Sequence, residues 1–352
     1  MPGTDAAIIT QARKLLAEDR PAAAKELLDA WIERNDFTGN RLLPQAYLLR
    51  GDATSADGDE YQALYDYEQV IKAYPGSPEF IIAVEREVEI ANRYLHGLDR
   101  KWLGMRIANA EDVGVELMVR SQERMPGSRL GERASIELAD YFYRERELSA
   151  ASDAYELFEK NYPTSQYKPF AMERRIYANV ARFKGPRYDT RPLTDARVLT
   201  RRFVNAYPAR AAETGLNDAL IVRIDDSAAE SMWVAADWYF QRGDEPGGRY
   251  TLKRLVAKYP QSAAAERAVK LMVERGWLKQ SELPSAPPTG VPSAEPVPEG
   301  TPPEAPRPIE PASPAGRSPT PATSTAPNVP LPGAPSPIEP ATPATTPGKE
   351  PR

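Results

Sequence analysis

The chain of 352 residues contains no cysteine. That excludes disulfides, thiolate nucleophiles and Cys-ligated zinc, and it fits an oxidising or a reducing compartment equally well. His96 is the single histidine. A zinc site would need an all-carboxylate partner set beside it, so His96 reads as a turn or surface residue. No run of about 18 apolar residues occurs, so nothing is expected to span a membrane. An excess of one charge is also missing, with 45 Lys and Arg against 50 Asp and Glu. Clusters such as Arg174-Arg175 and Arg201-Arg202 then read as solvated helix faces, and nucleic acid is not an expected partner. After Gln280 there is no Phe, Trp or Tyr, and 23 of the 36 prolines lie there. Such a segment cannot offset the entropy of ordering, so 280–352 is expected to be a disordered Pro-rich tail. Within it a Pro-Ile-Glu-Pro-Ala phrase occurs twice, at 308–312 and 337–341.

Signals of chemistry are equally sparse. Asp57, Asp59 and Glu60 surround Gly58 at an expected turn, and Asp225-Asp226 reads as a helix N-cap region. Neither supplies the alternating oxygen ligands of a calcium loop, and neither a Gly-rich phosphate loop nor a G-x-S-x-G elbow is present. The expectation is no enzyme, no cofactor and no metal.

What the chain does have is a recurring stop. Tyr74-Pro75, Met125-Pro126, Tyr162-Pro163, Tyr207-Pro208 and Tyr259-Pro260 each close a helix-like run. Proline cannot continue a helix and biases its predecessor away from the α region. Counting back from Pro75 as repeat position 32 puts Gly51 at position 8, Ala63 at 20 and Tyr67 at 24, the pattern of the 34-residue tetratricopeptide unit. The same count from Pro163 gives Ala139, Ala151 and Tyr155, and from Pro260 it gives Ala236, Gly248 and Leu252. Positions 8 and 20 must be small because the two helices of a unit cross most closely there. A lone pair cannot bury its apolar face, so units must stack. The expected fold is an all-α, right-handed superhelical solenoid over residues 1–279.

Units are expected at 5–35, 44–77, 78–124, 132–165, 166–206 and 229–262. His96–Asn109 is too long for a repeat turn, and Phe183–Leu193 interrupts the fifth unit. Glu213–Asp226 forms an additional helix, and Ala263–Trp277 caps the end. Positions 2, 5, 9 and 12 of each first helix should line the inner groove. In the fourth unit these are Arg133, Ile136, Asp140 and Tyr143, with Arg144 beside them; in the sixth they are Glu230, Trp233, Asp237 and Phe240. Aromatic groups mixed with charge suit peptide binding. Packing of Trp233 and Phe240 against neighbouring repeats is the other reading of the same pattern.

The run ending in Tyr162-Pro163-Thr164-Ser165-Gln166-Tyr167, the interruption Tyr188-Asp189-Thr190-Arg191-Pro192, and the stretch from Ala235 to Pro260 follow one another in an order that resembles BamD. BamD is the tetratricopeptide lipoprotein family of the outer-membrane β-barrel assembly machine, and the resemblance covers about 129–279. It implies a non-enzymatic scaffold at the periplasmic face of the outer membrane, with the BamA barrel subunit and unfolded outer-membrane proteins as partners. The sequence as given shows neither a signal-peptide pattern nor a cysteine to carry a lipid. The alternative is a general tetratricopeptide adaptor or co-chaperone.

Overall fold

The computed structural model describes residues 4–102 and 105–278; the Pro-rich tail expected over 280–352 lies outside the described residues. The five aromatic-Pro or Met-Pro stops share one backbone conformation. Tyr74, Met125, Tyr162, Tyr207 and Tyr259 all cap a helix with φ between −126 and −137° and ψ between 52 and 62°. Each N–H still donates to the carbonyl four residues back, and the proline that follows ends the run. The side chain then folds back on its own helix: the Phe158 and Tyr162 rings lie 5.4 Å apart, and those of Phe203 and Tyr207 5.5 Å. After two of the stops a serine caps the next helix. Ser128 and Ser262 accept from the backbone N–H groups of Gly131 and Ala265.

Between these signals stand antiparallel helix pairs. The first unit is α1 (Asp5–Ala17) with α2 (Pro21–Asn35), the second α3 (Leu43–Ala56) with α4 (Glu60–Ala73), and the third α5 (Glu79–Leu95) with α6 (Glu111–Arg124). The fourth is α7 (Arg129–Arg144) with α8 (Leu148–Asn161), and the fifth α9 (Lys168–Ala181) with α10 (Arg191–Ala206). After the short α11 (Pro208–Thr214) come α12 (Asp218–Gln241), α13 (Glu245–Lys258) and the terminal α14 (Ala263–Glu274). From α1 to α10, and again from α12 to α14, each helix packs on its neighbours in sequence, and first helices of successive units also touch, as α3 does α5 and α5 does α7. This is the stacking of a tetratricopeptide solenoid.

The small positions behave as the spacing requires. Ala12, Ala24, Ala63, Ala139 and Ala151 are fully buried. A Cβ added at Gly51 would come within 2.6 Å of Tyr67 Cε1, so the α3–α4 crossing admits no side chain there. The core runs as a series of apolar clusters along the stack, with Trp31, Tyr67 and Tyr94 among the buried groups of the first half.

Two elements differ from the expected helix layout. The long connection after α5 contains an antiparallel hairpin, β1 (Arg100–Trp102) and β2 (Met105–Ala108). It is clamped to the second unit: Arg106 donates to the Glu60 carboxylate at 2.9 Å and to the Gly58 carbonyl at 3.0 Å, and Lys101 donates to the Asp57 carbonyl. Glu60 is 1% exposed and also accepts from Arg93. The acidic turn around Gly58 is therefore the socket for the hairpin.

The second departure corrects the expectation of a separate helix over Glu213–Asp226 and an N-cap at Asp225-Asp226. α12 runs unbroken for 24 residues through both aspartates. Asp225 is paired with Arg197 of α10 instead of capping a helix, and the N-cap is Asn217, whose side chain accepts from Ala219 N–H. With no Gly or Pro between Asp218 and Gln241, nothing stops the helix.

Candidate functional site

α7 holds its candidate residues in a dense polar-aromatic contact. Asp140 accepts a hydrogen bond from the Tyr155 hydroxyl of α8. Burial pushes its carboxyl up to about 6, against the lowering effect of that hydrogen bond and of Arg174. Tyr143 meets the Tyr155 ring edge-on at 6.4 Å, and the Arg174 guanidinium of α9 lies 4.8 Å above the Tyr143 ring. The same guanidinium lies 5.1 Å from Phe170. Arg144 is exposed and donates to the Leu95 carbonyl at the end of α5. Arg133 is half-buried, while Ile136 is 4% exposed and packs in the cluster of Ala139, Tyr155 and Phe158. Ile136 therefore offers almost no surface to a ligand.

On α12 the aromatic candidates face the terminal helix and the segment after it. The Arg267 guanidinium covers Trp233 at 5.0 Å and pairs with Glu230. Phe240 stacks on Trp277 with centroids 5.9 Å apart and planes at 29°, and Arg275 covers both rings. A side chain on Gly248 would collide with the Phe240 ring, so the α12–α13 crossing is shaped around that phenylalanine. Asp237 is exposed and accepts from Gln241 at 2.6 Å.

Beside Asp237 opens a groove of about 700 Å³. Its outer wall is the interruption of the fifth unit, with Arg187 and Tyr188; its floor is α12, with Asp237 and Trp238; Lys258 of α13 completes it. Tyr188 and Trp238 are 62% and 48% exposed. Arg242 lies 4.3 Å over the Trp238 ring. The sequence singled out neither Trp238 nor Lys258, because it weighed only repeat positions 2, 5, 9 and 12. The signal that could have found them was the crowding of Trp, Tyr, Arg and Lys through 238–258.

Among the described residues no group of three or more His, Asp or Glu side chains is placed to hold a metal ion. His96 ends α5, exposed, with Nδ1 2.7 Å from the Asn92 carbonyl oxygen.

Comparison with known proteins adds the family context. Residues 45–77, the second helix pair, match the tetratricopeptide repeat model. Residues 114–280 match the outer membrane lipoprotein model YfiO, a BamD-like family. No curated protein matches the chain. A solved structure of the C-terminal part of a tetratricopeptide repeat-containing protein from Cytophaga hutchinsonii is similar at 13% identity, covering 76% of this chain and 88% of that one, with a TM-score of 0.38. The stretch from α6 through α14 is thus similar to the YfiO outer membrane lipoprotein family, and the pair α3–α4 before it matches a tetratricopeptide repeat.

Proposed function

We propose that the chain is a non-enzymatic protein-binding scaffold of the bacterial cell envelope, a BamD-like component of outer-membrane protein assembly. The observation that carries this reading is the YfiO match over 114–280, which takes in both candidate faces, on α7 and on α12. A stack of helix pairs presents such faces without needing to move, so it suits holding extended partners. The partners on this reading are the BamA barrel subunit and unfolded outer-membrane proteins, met at the periplasmic face of the outer membrane. The test is depletion in the native cells together with affinity isolation of the full-length chain. Co-isolation of the barrel subunit, and loss of folded outer-membrane proteins on depletion, are the expected results. Normal barrel assembly without the chain would overturn the reading.

A second reading is a general tetratricopeptide adaptor. It is favoured by residues 4–113, which lie before the YfiO match and include a tetratricopeptide pair of their own. Truncation of α1–α4 separates the two: an adaptor loses partners unrelated to barrel assembly, whereas the assembly component retains its barrel subunit.

A further inference from the structure

The groove between the 186–190 segment and α12–α13 is unusual in what it offers a ligand. Tyr188 on one wall and Trp238 on the floor leave two large rings partly open to solvent. Rigid aromatic rings of this kind anchor peptides with little loss of side-chain freedom. Around them stand two cations, the Arg187 guanidinium and the Lys258 ammonium, and hydroxyl and amide groups such as Thr190, Ser231 and Gln241 that can donate or accept. Asp237, the carboxylate in the lining, already accepts from Gln241. Arg242, stacked over Trp238, adds a further positive charge at the rim.

A ligand for such a surface brings negative charge and flat apolar groups. A basic peptide is repelled by the three cations. A polyproline-type segment carrying carboxylates meets both conditions. Proline has no N–H, its carbonyls are free because the helix has no internal hydrogen bonds, and its rings stack on Trp and Tyr. Interspersed carboxylates pair with Arg187, Lys258 and Arg242.

We propose that this groove, with Tyr188 and Trp238 as aromatic anchors and Arg187, Lys258 and Arg242 as charge partners, is a docking site for an acidic, proline-rich segment of a partner protein. The proposal rests on the scaffold reading and names the chemistry of one of its partners. It also gives the interruption of the fifth unit a role, since that segment supplies Arg187 and Tyr188.

The test is fluorescence anisotropy with a labelled twelve-residue peptide of Pro-Pro-Glu triplets, measured on the full-length chain and on a chain ending at residue 279, because residues 280–352 carry proline and glutamate of the same chemistry and would compete. Two control peptides replace Pro by Ala or Glu by Lys. The Pro-Pro-Glu peptide is expected to bind at least about tenfold more tightly than either control, and more weakly as salt rises. Trp238→Ala and Tyr188→Ala are each expected to weaken it by about tenfold or more, and Arg187→Glu combined with Lys258→Glu to abolish it, with helical content unchanged. Equal binding of the Ala control would reduce recognition to charge and overturn the proposal. An unchanged Kd in Trp238→Ala would place the peptide elsewhere and overturn it too. Failure of all three peptides, with the barrel subunit still co-isolating, would remove this inference and leave the scaffold reading standing; loss of the barrel subunit with tight peptide binding would do the reverse.

Discussion

The Asp52 carboxylate accepts a hydrogen bond from the Tyr67 hydroxyl at 2.9 Å, joining the two helices of one unit across fifteen residues. Asp140 and Tyr155 repeat the contact at the same separation in the fourth unit. In the sixth unit the partner position is Leu252, which has no hydroxyl, and Asp237 is left exposed at the groove. The polar tie that closes two units is thus missing beside the groove where Tyr188 and Trp238 stand exposed.

Tyr155→Phe removes only that hydroxyl and leaves Asp140 buried without it. A loss of about 1–3 kcal/mol in urea unfolding is expected. Because burial raises the Asp140 carboxyl to about 6, the loss should be greater at about pH 8, where the charged form needs the bond, than at about pH 5. Equal losses at the two pH values would contradict the assignment.

Glu87 on α5 has no exposed surface and faces Arg124 and Arg120 of α6 and Glu68 of α4, which also pairs with Lys72. Burial raises its carboxyl to about 7 despite the Arg124 contact, and one of its oxygens, Oε1, has no hydrogen-bond partner. The folded state therefore holds this proton more tightly than the unfolded chain does. Its contribution to stability is full below about pH 4.5 and is lost as the pH rises through about 7. Glu68 and Glu60, whose carboxyls are lowered, act in the opposite sense, contributing above about pH 4.5 and losing that contribution in acid. Glu87→Gln should match the wild type at about pH 5 and exceed it by about 1–3 kcal/mol at about pH 8. Parallel unfolding curves across that range would show that Glu87 does not hold its proton.

Overpacking the closest crossings tests the repeat register. Ala151→Leu and Ala236→Leu, at sites with 0% and 1% exposure, should each cost about 1–3 kcal/mol in chemical denaturation. Wild-type melting of either variant would break the positional assignment.

Phe240 and Trp238 lie two residues apart on α12 and should respond in opposite ways. Phe240→Ala removes a ring stacked on Trp277 and packed at Gly248, and a loss of about 3 kcal/mol of stability is expected. Trp238→Ala, half-exposed over the groove, should change the melting temperature little. Thermal unfolding followed by circular dichroism distinguishes the two.

Helix pairs, stops and small crossing positions were legible in the sequence because each follows from local chemistry: proline is confined to the first turn of a helix and stops any run that reaches it, and a close crossing admits only Gly or Ala. The hairpin was not. Its strands are short, its connection carries none of the Asn-Gly turn chemistry that marks a two-residue hairpin, and its hold comes from Arg106 reaching Glu60, 46 residues away. Asp225-Asp226 misled for a similar reason. Two adjacent aspartates look like a cap until Arg197, 28 residues earlier, is seen to pair with the first. Burial of Ile136 was also hidden, because a groove-facing repeat position says nothing of how closely α8 and α9 approach it.

The unbroken α12 has a mechanical consequence. Its first half packs against α10 of the fifth unit and its second half forms the sixth with α13, so one rod is shared by two consecutive units. Units joined by a loop can articulate at the joint, but a continuous helix of 24 residues transmits bending along its whole length. The fifth and sixth units should therefore open together in amide exchange, as one cooperative block, and a pull on a peptide seated in the groove would be felt as far back as the pairing of Arg197 with Asp225.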